Sequence, residues 1–155
     1  MLKPLTLYYA GPLFTDAERA WNIANALTLR ARLPTWRVAL PQEFCAALDC
    51  DASGKPRYDL IAKACLDHLA HADVVLAVLD GPDPDSGTCF EAGWAVARGI
   101  PVIGLRTDWR PAEDGAANCM LTRSCHCVVR DLDAACTTLA TFLDEPRPLA
   151  PRPTR

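Results

Sequence analysis

The chain has no basic stripe, no apolar run of membrane-spanning length and no C-x-x-C pair. It also lacks both common glycine-rich phosphate loops. Each absence removes a class of function. With no clustered Lys and Arg and a net charge of −3, a nucleic-acid polymer is not the expected partner. The longest apolar runs are strand-sized, so no membrane span is expected. The start, Met1-Leu2-Lys3-Pro4, lacks the apolar core and small-residue cleavage site of a secretory signal, and a cytoplasmic protein is expected. The first loop, Ala10-Gly11-Pro12-Leu13-Phe14, is not G-x-G-x-x-G, and no G-x-x-x-x-G-K-[ST] occurs, so dinucleotide and NTP phosphate cradles are both missing.

The 155 residues, half of them hydrophobic, suit one domain with a single core. We read residues 1–144 as that domain and 145–155, where Pro alternates with Arg, as a poorly ordered tail. Cysteine is abundant: Cys45, Cys50, Cys65, Cys89, Cys119, Cys125, Cys127 and Cys136. A domain of this size needs no disulfide framework, so buried free thiols are expected. Cys125-His126-Cys127 is the one local cluster with metal-ligating residue types. In a strand its two cysteines share a face while His126 points away, so no metal site is expected.

The strongest local signal runs from Ala72 to Gly104. Val74–Leu79 is apolar and β-branched and reads as a buried strand of a parallel sheet. A loop of Pro, Asp and Gly covers 81–87. A helix is expected from Thr88 to about Arg98, where Gly99 and Pro101 stop it. Pro101–Leu105 is the next strand. Upstream, Leu5–Tyr9 reads as a strand, and Thr15-Asp16-Ala17-Glu18 as a capping box. The helix it opens runs to about Arg32, with Ala17, Trp21, Ala24 and Leu27/Thr28 on its apolar stripe. Arg37–Leu40 is a short strand, 45–57 a loop, and Tyr58–Leu69 a helix. Downstream, 106–119 reads as a long polar loop and Cys125–Val129 as the last strand. A helix capped by Asp131 then runs to about Leu143. Right-handed crossovers turn this order into a three-layer α/β sandwich with a mostly parallel, flavodoxin-like or Rossmann-like sheet.

Ligands of such sheets lie beyond the carboxyl ends of the strands. The loop there carries Asp80, Asp83, Asp85 and, just inside the helix, Glu91, four carboxylates in twelve residues. Two readings of Glu91 stand side by side. In one, Thr88-x-x-Glu91 is a capping box and Glu91 is structural. In the other, Asp85 and Glu91 face one cleft as a reactive pair.

Three segments together resemble the nucleoside 2-deoxyribosyltransferase family: Leu7-Tyr8-Tyr9-Ala10-Gly11-Pro12-Leu13-Phe14; Ala72-Asp73-Val74-Val75 continuing to Asp85-Ser86-Gly87-Thr88-Cys89-Phe90-Glu91-Ala92-Gly93; and Asn118-Cys119-Met120-Leu121. The D-S-G-T-x-x-E-x-G piece is the most specific. The resemblance implies that Glu91 attacks the anomeric carbon of a 2′-deoxynucleoside to form a glycosyl ester, which a second base or water resolves. It implies that Tyr8 orients Glu91 and that Asp85 binds sugar hydroxyls or assists the acid step. Gly11, Phe14, Gln42 and Gly87 would line the substrate, with Gln42 facing the base. Asn118 and the Met120 backbone would reach the sugar 5′-hydroxyl in a neighbouring subunit of a homo-oligomer. No cofactor or metal is implied; the partners are a deoxynucleoside and a free nucleobase.

The chain departs from the family at one place. The family usually carries an Asp eight residues before the Asp that starts the central strand, and here that position is Cys65. Asp67 lies about 200° further round the helix and does not substitute. Asp73 itself reads as structural. Two other functions compete with transfer: hydrolysis of a nucleoside or its 5′-monophosphate, and non-catalytic nucleoside binding. The apolar first loop, with no amide at Pro12, favours an unphosphorylated 5′ end over a phosphate.

Overall fold

A computed structural model describes residues 4–142, apart from 49, 56 and 114–116. The proposed tail and the domain boundary at 144 lie outside these residues. Five parallel strands form one sheet: β1 (Leu5–Ala10), β2 (Trp36–Ala39), β3 (Val74–Val78), β4 (Val102–Leu105) and β5 (Cys127–Val129), in the order β2-β1-β3-β4-β5. This is the doubly wound order of flavodoxin-like folds. The connecting helices are α1 (Asp16–Arg32), α2 (Pro41–Phe44), α3 (Tyr58–Ala70), α4 (Ser86–Ala97), α5 (Cys119–Ser124) and α6 (Leu132–Thr141), with a 3₁₀ turn at Ala46–Leu48.

Strand alternation splits the core into two layers. Leu7, Tyr9, Val38, Leu76, Val78 and Ile103 face α1 and α6, where Ala26, Leu29, Ala135 and Leu139 meet them. Tyr8, Ala10, Val75, Ala77, Leu79 and Val102 face α3 and α4, against Leu69, Ala92 and Ala95. Tyr8 and Tyr9, adjacent in sequence, therefore serve opposite faces, and both are fully buried.

Three sequence expectations change. The apolar stripe expected on α1 holds only in part: Trp21 packs against the core, but Ala17 and Ala24 are exposed, Leu27 is 59% exposed, and the buried residues are Asn22, Asn25, Ala26 and Leu29. The two asparagines turn inward because partners wait there. Asn25 Nδ2 donates to the Tyr9 hydroxyl at 3.0 Å, and Asn22 Nδ2 to the Pro12 carbonyl at 2.8 Å. Second, the segment before β5 is not all loop. Asn118 caps α5, and Cys125 closes that helix instead of lying in the strand beside Cys127. A parallel β4–β5 pair needs a crossover, and α5 lies within it. Third, the 45–57 stretch holds the 3₁₀ turn.

The amino ends of β1 and β3 are locked by Asp73. Its Oδ2 accepts the Thr6 N–H at 2.8 Å, and its own N–H donates to the Thr6 carbonyl at 2.8 Å. Removing the carboxylate strands the part-buried Thr6 amide. Asp73→Ala is expected to lower stability by about 1–3 kcal/mol. A urea midpoint shift at unchanged m-value checks it; an unchanged midpoint contradicts it.

Candidate active site

β1 delivers Tyr8 to the α3/α4 face, and its hydroxyl donates to Glu91 Oε1 at 2.6 Å. Glu91 sits in the second turn of α4. The helix begins at Ser86, not Thr88, and its N-cap is Asp85, whose Oδ2 accepts the Thr88 N–H at 2.8 Å and the Thr88 hydroxyl at 3.1 Å. Thr88 is thus the capped residue, and the Thr88-x-x-Glu91 capping box does not form. Glu91 is left without a capping role, and its polar partner is a tyrosine on another element. Gly87 gives the cap room: a Cβ there would come within 3.1 Å of Asp85 Oδ2.

The four carboxylates divide. Asp80 accepts from the Thr107 N–H and hydroxyl, each at 2.6 Å, and from the Asp108 N–H at 2.8 Å, so it stitches the loop after β3 to the loop after β4. Asp83 is exposed. Asp85 and Glu91 alone remain as the pair. Burial pushes the Glu91 carboxyl up to about 7, against the pull of the Tyr8 hydrogen bond, and the Asp85 charge adds to the rise. Burial, then the Glu91 charge, pushes the Tyr8 phenol far above its ordinary range, so it stays a donor. A half-buried carboxylate of this kind is dehydrated and close to neutrality in its titration, the condition for a nucleophile that must also leave.

Cys65 reaches the same spot. Its thiol bonds the Tyr8 side chain, feels the Glu91 charge, and faces the Cys45 thiol at 3.9 Å. Burial pushes it up, so it stays a neutral thiol. The Tyr8 ring leans on Phe44, 6.3 Å between centroids, and Phe44 stacks on His68 at 3.9 Å.

The remaining predicted residues fall into two groups. Gly11 follows β1, where a Cβ would crowd Val78 at 3.1 Å. Phe14 is 72% exposed, and Arg19 donates to the Leu13 and Phe14 carbonyls at 3.0 and 2.9 Å to hold that loop. Gln42 ties α2 to α1: its Nε2 donates to the Arg19 carbonyl at 3.1 Å and its Oε1 accepts from Asn22 Nδ2 at 3.2 Å. Asn118 and Met120 lie on the other flank, at α5. Asn118 Oδ1 accepts the Met120 N–H at 3.0 Å and its Nδ2 donates to Glu113 at 3.0 Å. Among the described hydrogen bonds, none joins Asn118 or Met120 to Tyr8, Asp85 or Glu91. Asn22 escaped the sequence reading. It is 2% exposed, beside the first loop, and its Oδ1 has no partner. Its signal was the i, i+3, i+4, i+7 spacing of Asn22, Asn25, Ala26 and Leu29, hidden because two members are polar.

The fold and the site together define a class: a doubly wound α/β protein with a tyrosine-held carboxylate at the carboxyl edge of its sheet. A model of the nucleoside 2-deoxyribosyltransferase family matches residues 7–131, and the chain belongs to that family. Solved structures agree. A conserved protein from Enterococcus faecalis V583 aligns at 28% identity and a TM-score of 0.78, over 89% of this chain and 98% of its own. A 2-deoxyribosyltransferase from Leishmania mexicana aligns at 25% and 0.62, over 92% and 99%. The fold is shared with a 2-deoxyribosyltransferase from Bacillus psychrosaccharolyticus at 24% and 0.69, over 84% and 89%. No curated protein sequence matches.

Two predictions follow from the raised Glu91. Because folding raises this carboxyl from its ordinary value near ~4.3 to about 7, it stabilises the fold fully below the lower value. That contribution is lost as pH rises through the upper one. Glu91→Gln removes the titration, so its stability relative to wild type is expected to climb by on the order of 2–3 kcal/mol between those pH values. Melting both proteins at pH 4.5 and pH 8 checks the sign. Asp85→Asn keeps an N-cap acceptor but removes the charge. A carboxyl-selective titration by NMR is expected to find Glu91 below 7 in that variant; an unmoved value would mean Asp85 does not act on Glu91.

Proposed function

We propose that the protein transfers 2-deoxyribose between nucleobases through a glycosyl ester on Glu91. The observation that carries this reading is the half-buried Glu91 carboxyl, raised to about 7 and held by the Tyr8 hydroxyl at 2.6 Å, at the carboxyl edge of the sheet. A Glu91 carboxylate oxygen attacks C1′ of the bound deoxynucleoside. The C1′–N bond breaks, and the base leaves with the electron pair and takes a proton. The acceptor base then attacks C1′ with a ring nitrogen, loses its proton, and releases the Glu91 carboxylate. Two steps with inversion at each give net retention.

Tyr8 holds Oε1, fixing which oxygen is free to attack. Its hydrogen bond also stabilises the carboxylate as a leaving group in the second step. Asp85 stands beside Glu91 with its Oδ2 engaged by Thr88, and we assign it to the sugar hydroxyls. Gln42 and the first loop, from Gly11 to Phe14, form the base side, and Gly87 leaves the α4 entrance open. Cys65 stands against Tyr8 where the family usually has Asp, and a thiol pushed up by burial is a weak proton donor. The proton for the leaving base is therefore assigned to Asp85 or water, and bases that depart readily as anions are the favoured substrates.

We assign Asn118 and Met120 to the 5′-hydroxyl of a neighbouring subunit's substrate in a homo-oligomer. Met120 is 76% exposed and Phe90 on α4 is 60% exposed, and neither α5 residue bonds to its own chain's Glu91. The cytoplasm is the proposed location. No helix among the described residues is long and apolar enough to cross a membrane.

Product analysis tests the reaction: a deoxynucleoside is incubated with a different free base. A new deoxynucleoside supports transfer. Free base plus 2-deoxyribose, with no new nucleoside, shifts the assignment to the hydrolase. No turnover across pH 5–9 sinks both. Glu91→Gln should reduce kcat by at least about a thousandfold, about 4 kcal/mol of barrier; a loss under tenfold leaves the mechanism without its nucleophile. Mixing inactive Glu91→Gln with inactive Asn118→Ala tests the shared site. Partial recovery is expected from mixed oligomers, and no recovery would place Asn118 in its own subunit's site or outside catalysis.

A further inference from the structure

Asn22, on α1, bonds two other segments at once. Its Nδ2 donates to the Pro12 carbonyl at 2.8 Å and to Gln42 Oε1 at 3.2 Å. Gln42 Nε2 in turn donates to the Arg19 carbonyl at 3.1 Å. Two side-chain amides are thus strung between two backbone carbonyls. A carbonyl can only accept, so both ends of the string are fixed. Turning the Gln42 amide over would set its Nε2 against the Asn22 amino group and its Oε1 against the Arg19 carbonyl. Turning Asn22 over would set its Oδ1 against the Pro12 carbonyl. One arrangement alone satisfies every contact.

The remaining Asn22 atom shows what the position is for. Asn22 is 2% exposed, and its Oδ1 has no partner. A buried idle acceptor is costly, and an apolar side chain of similar size would avoid the cost. The two N–H groups of Nδ2 are therefore what this place requires. The backbone that carries Gln42 is held as firmly. Arg30 Nη1 donates to Glu43 Oε1 at 2.9 Å, and its Nη2 donates to Glu43 Oε2 at 2.6 Å and to the Val38 carbonyl at 3.1 Å. That fork grips α2 one residue from Gln42. Phe44, two residues on, leans on Tyr8. The half-buried Gln42 amide thus has a fixed place beside the reactive pair and a fixed polarity.

Each end of that amide is used once. One lone pair of Oε1 and one hydrogen of Nε2 remain, an acceptor and a donor in a set order. Nucleobases present such pairs in two opposite orders. An amino base offers an exocyclic N–H beside a ring-nitrogen acceptor. An oxo base offers a carbonyl acceptor beside a ring N–H. With the sugar anchored at Glu91, the base enters in one sense, so a locked amide matches one order and sets like groups together in the other. Sites built to hydrogen-bond a substrate reject an analogue that leaves their polar groups unpaired. We propose that Asn22 is a positioning residue that locks the Gln42 amide and so makes the base site discriminate amino from oxo nucleobases. The proposal rests on the reading above that Gln42 faces the base.

Acceptor competition on the full chain tests it, with one deoxynucleoside donor and a pair of bases of the same ring, adenine with hypoxanthine or cytosine with uracil. Wild type should favour one member of the pair by at least about tenfold in kcat/KM. Asn22→Leu should bring the ratio to within about threefold of parity, by raising KM for the favoured base with kcat little changed. Gln42→Ala should do the same, and the double variant should add nothing, because the two residues act as a unit. Melting curves show whether Asn22→Leu is folded; Asn22→Ala carries the same expectation if it is not. Equal use of both bases by wild type overturns the proposal. So does a ratio that survives Asn22→Leu or Gln42→Ala, or one that Asn22→Leu lowers equally in the Gln42→Ala background, which makes Asn22 act on the fold and not through Gln42. Calorimetry of deoxyadenosine and deoxyinosine, or of deoxycytidine and deoxyuridine, on Glu91→Gln reads the same preference without turnover. A preference that persists there while wild type makes no new nucleoside sinks the transfer reaction and leaves this proposal standing.

Discussion

The structure turns on a single hydrogen bond, from the Tyr8 hydroxyl to Glu91 Oε1, spanning 83 residues of sequence. Burial makes both groups costly to ionise; the Glu91 charge raises the Tyr8 phenol further, while the Tyr8 hydrogen bond favours the Glu91 carboxylate. A phenol so raised stays a donor at any working pH, and a carboxyl so raised has one oxygen fixed and the other available. The rest of the chain positions that pair. β1 and β3 are adjacent parallel strands, with Tyr8 paired to Val75 in register. A shift of one residue would turn Tyr8 to the α1/α6 face, where Tyr9 now sits. The Asp73–Thr6 lock at the amino ends of the same two strands sets that register.

α4 supplies the second half. The Asp85 side chain is used twice, as the N-cap that fixes the start of the helix and as the charge that pushes Glu91 upward. This double use gives the acidic loop at the sheet edge a structural role as well as an electrostatic one. The carboxylate repulsion is carried by Glu91 as a raised titration, and Asp80 is withdrawn from it by three donors from the loop after β4. Asp85, at the cap of α4, thus acts on Glu91 within the helix, while Asp80 is structural.

Much of this was legible in the chain. The buried strands announced themselves as apolar β-branched runs, and right-handed crossovers narrowed the sheet to a flavodoxin-like or Rossmann-like order, which the structure resolves as β2-β1-β3-β4-β5. That Tyr8 would reach Glu91 was legible from the segments that carry them, and the structure brings the two together. The capping box at Thr88 misled because T-x-x-E is satisfied in sequence whether or not Thr88 is the cap, and Asp85, three residues earlier, caps better placed. The short α5 was hidden in a polar stretch too brief to show a helical period. Of the α1 stripe only Trp21 was read correctly, because Asn22 and Asn25 are buried for hydrogen bonding and apolar periodicity does not see such residues. That Cys65 would fill the place of a family Asp was a matter of counting back from Asp73; that it stands against Tyr8 required the fold. That it would share the spot with Cys45, from the loop after α2, required the fold.

The central claim is that Glu91 carries the sugar, and the most direct measurement is the mass of the protein during turnover. A deoxynucleoside is supplied without acceptor base, the reaction is quenched in acid, and the intact chain and its peptides are weighed. The account predicts a gain of one deoxyribosyl unit, confined to the peptide containing Glu91 and discharged when acceptor base is added before the quench. Turnover with no adduct on any peptide, or an adduct on a different residue, would contradict it.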